Sequence, residues 1–241
     1  MIKLRNIFVA LVATFAMISN VSAGPVNIGI TASMYEVDAS GTETDSATVG
    51  GAAITDTSVR TKSIKEITPT GSIFVEYVTD TSWPMTIGGE YTPGVADISS
   101  GLSRTDTETS RTVNAGTAEG NVTNTRKASA EATNFASLYV EAPIWGMLYG
   151  RVGVSSMDIH YETSQTVSGG IYNDNIQLTG TNLGLGLKST TANGTLWKLA
   201  YEQTDYDGFT LKSQSNAVTA QNTIKGDADT AAVRFSLAKS F

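Results

Sequence analysis

The chain has 241 residues, 23 acidic against 16 basic for a formal net charge of −7, one histidine and no cysteine. That balance argues against nucleic acid as a partner, and the lack of cysteine excludes disulfides and thiolate metal sites. The chain opens on Met1-Ile2-Lys3-Leu4-Arg5, continues with an apolar run from Ile7 to Ile18 and reaches Val21-Ser22-Ala23. A charged start, an apolar middle and small residues at the end predict a secretory signal peptide over residues 1–23, cut after Ala23. The run is too short to span a membrane comfortably, and no other stretch is long and apolar enough for a membrane helix. A membrane role would therefore fall to strands closed into a barrel.

Segments of about ten residues with alternating apolarity are the signature of tilted membrane strands, and eight follow in chain order. The first carries Val26, Ile28, Ile30, Ala32 and Met34 on one face; the second carries Ile73, Val75 and Tyr77, with Glu76 and Val78 opposite. The third sets Met85, Ile87 and Tyr91 against Thr86, Gly88 and Glu90, and the fourth sets Ala136, Leu138, Val140 and Ala142 against Tyr139 and Glu141. In the fifth, Leu148, Val152 and Val154 oppose Tyr149, Arg151 and Ser155; in the sixth, Leu183, Leu185 and Leu187 oppose Asn182, Gly184, Gly186 and Lys188. The seventh sets Trp197, Leu199 and Tyr201 against Lys198, Ala200 and Glu202, and the eighth sets Val233, Phe235, Leu237 and Phe241 against Arg234, Ser236 and Ser240.

The connections alternate in length. Thr79 to Pro84, Pro143 to Gly146 and Ser189 to Thr195 are short and carry Pro, Gly or Asn. Those from about Ala39 to Gly71, Pro93 to Thr133, Glu162 to Asn175 and Asp205 to Asp227 are long and polar. Short periplasmic turns and four long external loops are the expected asymmetry of an outer-membrane barrel, and an even strand number puts both chain ends on the periplasmic side. Parts of the long connections still alternate, as at Val59, Thr61 and Ser63, so some strands are expected to continue outside the membrane as polar hairpins. The expected fold is all-β, an eight-stranded antiparallel up-and-down transmembrane barrel over residues 24–241.

All three tryptophans, Trp83, Trp145 and Trp197, lie at or beside the short turns, and Phe241 joins them at that end. They are expected to form an aromatic girdle at the membrane interface, where an apolar ring with a polar N–H is at home. The parity opposite the lipid face carries four acids, Glu76, Glu90, Glu141 and Glu202, and four bases, Arg151, Lys188, Lys198 and Arg234. Eight strands leave an interior just wide enough for side chains to fill, and a charge there needs a partner. These residues are expected to cross a largely closed lumen as ion pairs; the alternative is that they line a narrow conduction path.

The final strand, alternating and ending on Phe241, resembles the C-terminal strand of bacterial outer-membrane barrels, with Lys239 where an apolar or aromatic residue is more usual. With the eight segments it makes the chain similar to the small barrels typified by the OmpA transmembrane domain, OmpX and OmpW. The resemblance implies a Gram-negative outer-membrane location among outer-membrane lipids and lipopolysaccharide, and recognition of the last strand by the barrel-assembly machinery. It implies no cell-wall tether, since nothing resembling a peptidoglycan-binding domain follows Phe241, and it does not identify an extracellular ligand.

No catalytic site is expected. His160 lies beside Asp158, Glu162 and Ser164, the ingredients of a serine hydrolase, but His-Tyr-Glu-Thr-Ser lacks the His-x-Ser spacing of the lipid A deacylases, and in a chain rich in Ser and Thr such neighbours arise by chance. Asp38, Asp45 and Asp56, or Asp205 and Asp207, do not follow a calcium-loop spacing, and Gly50-Gly51 and Gly169-Gly170 read as turns. The expectation is a non-enzymatic envelope protein, without metal or cofactor, meeting the outside through its loops; the alternative is a small porin-like channel for ions or small apolar solutes.

Overall fold

The computed structural model describes residues 25–49, 52–54, 60–97, 102–110, 120–165, 175–212 and 220–241. Residues 1–23, expected to be a signal peptide, lie outside the described residues. Among the described residues there are eleven strands: β1 (Val26–Val49), β2 (Ala52–Ile54), β3 (Arg60–Val78), β4 (Thr86–Asp97), β5 (Leu102–Ser110), β6 (Gly120–Trp145), β7 (Leu148–Gln165), β8 (Ile176–Thr190), β9 (Thr195–Tyr206), β10 (Phe209–Lys212) and β11 (Ala220–Ser240). Eight of them form an antiparallel ring in the order β1-β3-β4-β6-β7-β8-β9-β11, closed where β11 pairs with β1 from Asn27↔Ser240 upward. Ring closure leaves no strand edge around the wall in its lower half, which is what a sheet needs in order to stand in lipid. The short strands β2, β5 and β10 pair with β1, β6 and β11 beyond the ring.

Period-two alternation sorts the side chains. Ile28, Ile30 and Met34 on β1, Ile73 and Val75 on β3, Val152 and Val154 on β7, and Leu183 and Leu185 on β8 are exposed on the outer wall, Ile30 to 63%. β9 and β11 complete the belt with Leu199, Tyr201, Val233, Phe235 and Leu237. Large apolar side chains facing outward all round the wall, with charged ones buried inside, invert the arrangement of a soluble barrel and match a lipid-facing band. Tyr77, placed by parity on that band, is a local exception and is buried.

Inside, the wall alternates small and large residues across strands. Gly29 sits opposite Phe74, Gly88 opposite Tyr139 and Gly186 opposite Tyr149. In each pair a ring lies where a glycine Cβ would stand, 2.7 Å from the Tyr149 ring in the case of Gly186. The missing side chains make room for three aromatic rings in a lumen that eight strands leave narrow.

The ring strands run well past the belt. β1 has 24 residues, about 80 Å along the strand at roughly 3.3 Å per residue, against a membrane band about 25 Å tall. It keeps pairing with β11 to Ala47↔Ala220 and with β3 to Glu43↔Arg60. Much of what the sequence reads as long connection, from Ala39 to Val49, Arg60 to Gly71, Gly120 to Thr133 and Ala220 to Asp227, is therefore strand. The alternation at Thr61 and Ser63 thus belongs to a strand that continues past the belt, as expected of a polar hairpin.

Candidate functional site: a plugged lumen and a break in the wall

The lowest tier of the lumen is a chain of ion pairs. Glu141, fully buried, accepts from Lys198 Nζ at 2.8 Å on one oxygen and from Lys188 Nζ at 2.9 Å on the other. Lys198 also pairs with Glu76, which accepts from the Tyr139 hydroxyl at 2.7 Å and from Asn27 Nδ2 at 3.3 Å. Lys188 donates to Thr86 at 3.0 Å. The lysine heads lie against aromatic faces, Lys188 5.0 Å from the Tyr149 ring centre and Lys198 5.3 Å from that of Phe74, contacts that favour a cation with little water around it.

The next tier joins the other four charges. Arg234 donates to both oxygens of Glu202 at 2.9 Å and pairs with Glu90, which also accepts from Ser72. Arg151 reaches Glu90 at 3.2 Å, Ser137 at 3.1 Å and, through Nε, Glu202 at 2.9 Å. Its guanidinium stacks 3.5 Å from the centre of the Tyr139 ring, which links the two tiers. All eight charged residues named from sequence parity thus lie inside the ring, and each touches an opposite charge. Four acids against four bases leave no net charge to stabilise.

Above the ion pairs the lumen is apolar on one side. Met157, Ile159, Leu178, Tyr206 and Ala228 pack together, with Phe135 and Ile176 against them. On the other side lies a cavity of about 210 Å³. Its inner walls are Tyr35, Val37, Phe135, Met157, Tyr206 and Thr230; its outer walls are Pro69 to Gly71 on β3 and Thr92 to Gly94 on β4.

The cavity reaches the outer wall because β3 and β4 part. Their pairing runs from Val78↔Thr86 to Ile73↔Tyr91 and stops, while β3 continues beside β1 and β4 beside β6. The cause is local. The register of β4 on β6 shifts between Thr92 and Val95, and that of β6 on β7 shifts between Thr133 and Ala136. Gly94 at φ 103° and Asn134 at φ 53° supply the left-handed backbone, a conformation that Gly and Asn adopt most readily. Such bulges bend a strand and increase its twist, here at the level where β4 leaves β3. Asn134 is held in place by donating to Asp158 at 3.0 Å and accepting from Tyr91 Oη at 3.4 Å. Pro69 and Pro93 stand on the two lips. Proline has no N–H to offer a ladder and is confined to sheet edges or bulges.

A closed ring of eight strands, an outward apolar belt and a buried network of charges decide the architecture. It is that of a small outer-membrane β-barrel. Among solved structures, the barrel is similar to the outer membrane protein OprG from Pseudomonas aeruginosa, at 12% identity and TM-score 0.45, covering 91% of this chain and 96% of that one. It is also similar to the attachment invasion locus protein Ail of Yersinia pestis, at 12% identity and TM-score 0.36 over 88% and 99%. A third is the outer membrane protease OmpT from Escherichia coli, at 6% identity and TM-score 0.41 over 91% and 98%. No family model matches the sequence, and no curated protein matches it.

The aromatic residues lie at the end of the barrel with the short turns. Trp83 and Trp145 are exposed, Trp145 to 83%, and so is Phe241; Trp197 is half-buried near the start of β9. Trp83 donates from Nε1 to the Pro143 carbonyl at 3.1 Å, tying two turns together. Lys239, the departure in the last strand, is exposed and donates to the Asn193 carbonyl in the neighbouring turn. At the other end His160 is exposed, and Asp158 is occupied by Asn134 and by Gln177 at 3.3 Å. Glu162 and Ser164 fall outside the residues with described side chains. Among the described residues no group of three or more potential ligands is placed to hold a metal ion.

Sequence parity points to the eight charges and misses what surrounds them. Phe74, Ser72 and Ser137 complete the plug beside Tyr149, which parity had already turned inward, and Tyr206 and Thr230 complete the cavity. Tyr206 is the last residue of β9, on the inward parity of Lys198 and Glu202, so counting that strand on by twos finds it. For Thr230 the only signal is the alternation continuing upward from Arg234.

Proposed function

We propose that this protein is a non-enzymatic barrel of the Gram-negative outer membrane, closed to ions, that holds its long polar strands and loops outside the cell for envelope structure and surface interaction. The observation that carries this reading is the two-tier ion-pair network at belt height. An ion would have to separate at least one buried pair to pass, and breaking such a pair costs on the order of 3–5 kcal/mol. The lipid-facing belt supports the outer-membrane location, with lipid and lipopolysaccharide as surroundings. The test is planar-bilayer recording from the refolded mature chain. No discrete openings are expected; steps whose size changes in Arg151→Met or Glu141→Gln would replace the closed barrel by a channel lined by those residues.

The break between β3 and β4 favours a second reading, in which a small apolar solute enters through the wall instead of along the lumen. The cavity behind the break supports it, because its walls are largely apolar and its lips belong to the upper part of the belt, where Pro69 faces Met34 in register.

A further inference from the structure

We infer that the outer face of β6, β7 and β8, just above the apolar belt, binds the sugar headgroup of an outer-leaflet glycolipid through its hydroxyls rather than through a phosphate. The site rests on the first reading, in which the barrel stands in the outer membrane. Two observations carry it. The first is a hydrogen-bonded row that crosses four strands on the outside of the wall. Tyr91 on β4 donates from Oη to Asn134 Oδ1 on β6 at 3.4 Å; Asn134 Nδ2 donates to Asp158 Oδ2 on β7 at 3.0 Å; Gln177 Nε2 on β8 donates to Asp158 Oδ1 at 3.3 Å. Asn134 and Gln177 are exposed. Asn134 has φ 53°, a backbone state that persists in a residue with a side chain only where its surroundings hold it, and here the bonds to Tyr91 and Asp158 do so. Each amide gives one N–H to Asp158 and has a second, and each Asp158 oxygen has a further lone pair. The row therefore sets donors and acceptors side by side, as neighbouring hydroxyls on a sugar ring require.

The second observation is what surrounds the row. One step below it on the same face, Ala136, Ser156 and Thr179 stand side by side in register, and one step lower Leu138 pairs with Val154 in the belt. The three short side chains make a shelf between the row and the apolar wall. Asp158 lies four residues beyond Val154, about 13 Å along the strand at roughly 3.3 Å per residue, which puts the row where acyl chains give way to headgroups. A sugar ring on the shelf would leave its acyl chains against Leu138 and Val154 and bring its hydroxyls to Asn134, Asp158 and Gln177. A phosphate fits poorly. Among the residues with described side chains, no lysine or arginine faces outward from β4, β6, β7 or β8 at this level. Asp158 is ionised there, and Glu131 stands one step above it, opposite His160 in register, so a phosphate would meet like charge.

The test is native mass spectrometry of the whole mature protein in detergent micelles, offered three probes: lipid A, lipid A stripped of its phosphates, and cardiolipin, which has phosphates and several acyl chains but no sugar ring. Both forms of lipid A are expected to be retained equally well, with or without EDTA, and cardiolipin far less. Asn134→Gly keeps the left-handed backbone and removes the amide. Combined with Gln177→Ala it should lower retention of both forms of lipid A by about fivefold or more, as expected for losing hydrogen bonds at two side chains, while the heat-dependent gel shift stays unchanged. Retention that disappears with the phosphates or in EDTA would overturn the sugar assignment in favour of a phosphate held through cations. Cardiolipin retained as well as lipid A, or a double variant that retains lipid A like the parent, would overturn the site and leave the outer-membrane reading standing. A parent chain without the gel shift would remove that reading and the site with it.

Discussion

Arg234 donates from a single nitrogen, Nη1, to both carboxylate oxygens of Glu202, at 2.9 Å each, with both side chains buried in the lumen. The pair joins β9 to β11, and its residues also bind Glu90 on β4 and Arg151 on β7. Removing one member leaves a buried charge without its partner. Glu202→Gln is expected to lower the free energy of unfolding by about 3–5 kcal/mol, whereas Glu202→Leu together with Arg234→Met should cost clearly less than the sum of the two single replacements. Urea unfolding in lipid vesicles measures both; strict additivity would mean that the pair is not coupled.

Gly88 and Tyr139 make a second testable pair. A Cβ at Gly88 would run into the Tyr139 ring, which cannot swing away freely because its hydroxyl is bonded to Glu76 and its face is stacked on Arg151. Gly88→Ala should cost about 1–3 kcal/mol, the range for overfilling a packed interior. Gly71→Ala adds its methyl to open space, its nearest neighbour being the Thr31 carbonyl at 4.0 Å, and should be neutral or slightly stabilising. Equal effects in the same unfolding assay would contradict the packing described.

On the outer face above the belt, Asp229 lies between Asp38 on β1 and Asp205 on β9 in register. Partial burial, then Asp205, and then Asp38 and Asp227 push its carboxyl above the usual aspartate range. The fold therefore favours the protonated form more than the unfolded chain does. This contribution to stability is complete below the ordinary aspartate value and is lost as pH rises through the raised one. Asp229→Asn should raise the unfolding midpoint at pH 7, and the gain should shrink toward zero as the pH is taken below about 3.9. A gain that grows on acidification would reverse the sign.

If Trp83, Trp145 and Trp197 sit at one interface, their fluorescence should be quenched more strongly by lipids brominated near the headgroup than by lipids brominated near the end of the acyl chain. Stronger quenching from the bilayer centre would place the short turns at the wrong depth.

Much of this was legible because a strand alternates with period two. Once Ile28 to Met34 or Leu183 to Leu187 are taken as lipid-facing, the charges of the opposite parity must face inward, and a narrow lumen forces them together. The Gly88–Tyr139 and Gly186–Tyr149 fits depend on which residues stand opposite, and register is not written in either strand alone. In Arg60 to Gly71 and Gly120 to Thr133 the alternation points to polar hairpins, but few apolar residues mark where the pairing starts and stops. The wall break was hidden for the same reason. Pro93 looks like the start of a loop and Pro69 like a loop residue, and only the pairing of β3 and β4, ending at Ile73↔Tyr91, puts them on opposite lips.

The most direct test of the account is gel migration of the mature chain from fractionated cells, with and without boiling. A paired, closed barrel resists detergent, so the protein is expected in the outer-membrane fraction as a band whose mobility changes on heating. A protein found in the periplasm or the medium that migrates identically with and without heat would contradict the membrane barrel, and with it the lumen plug and the membrane-facing pocket.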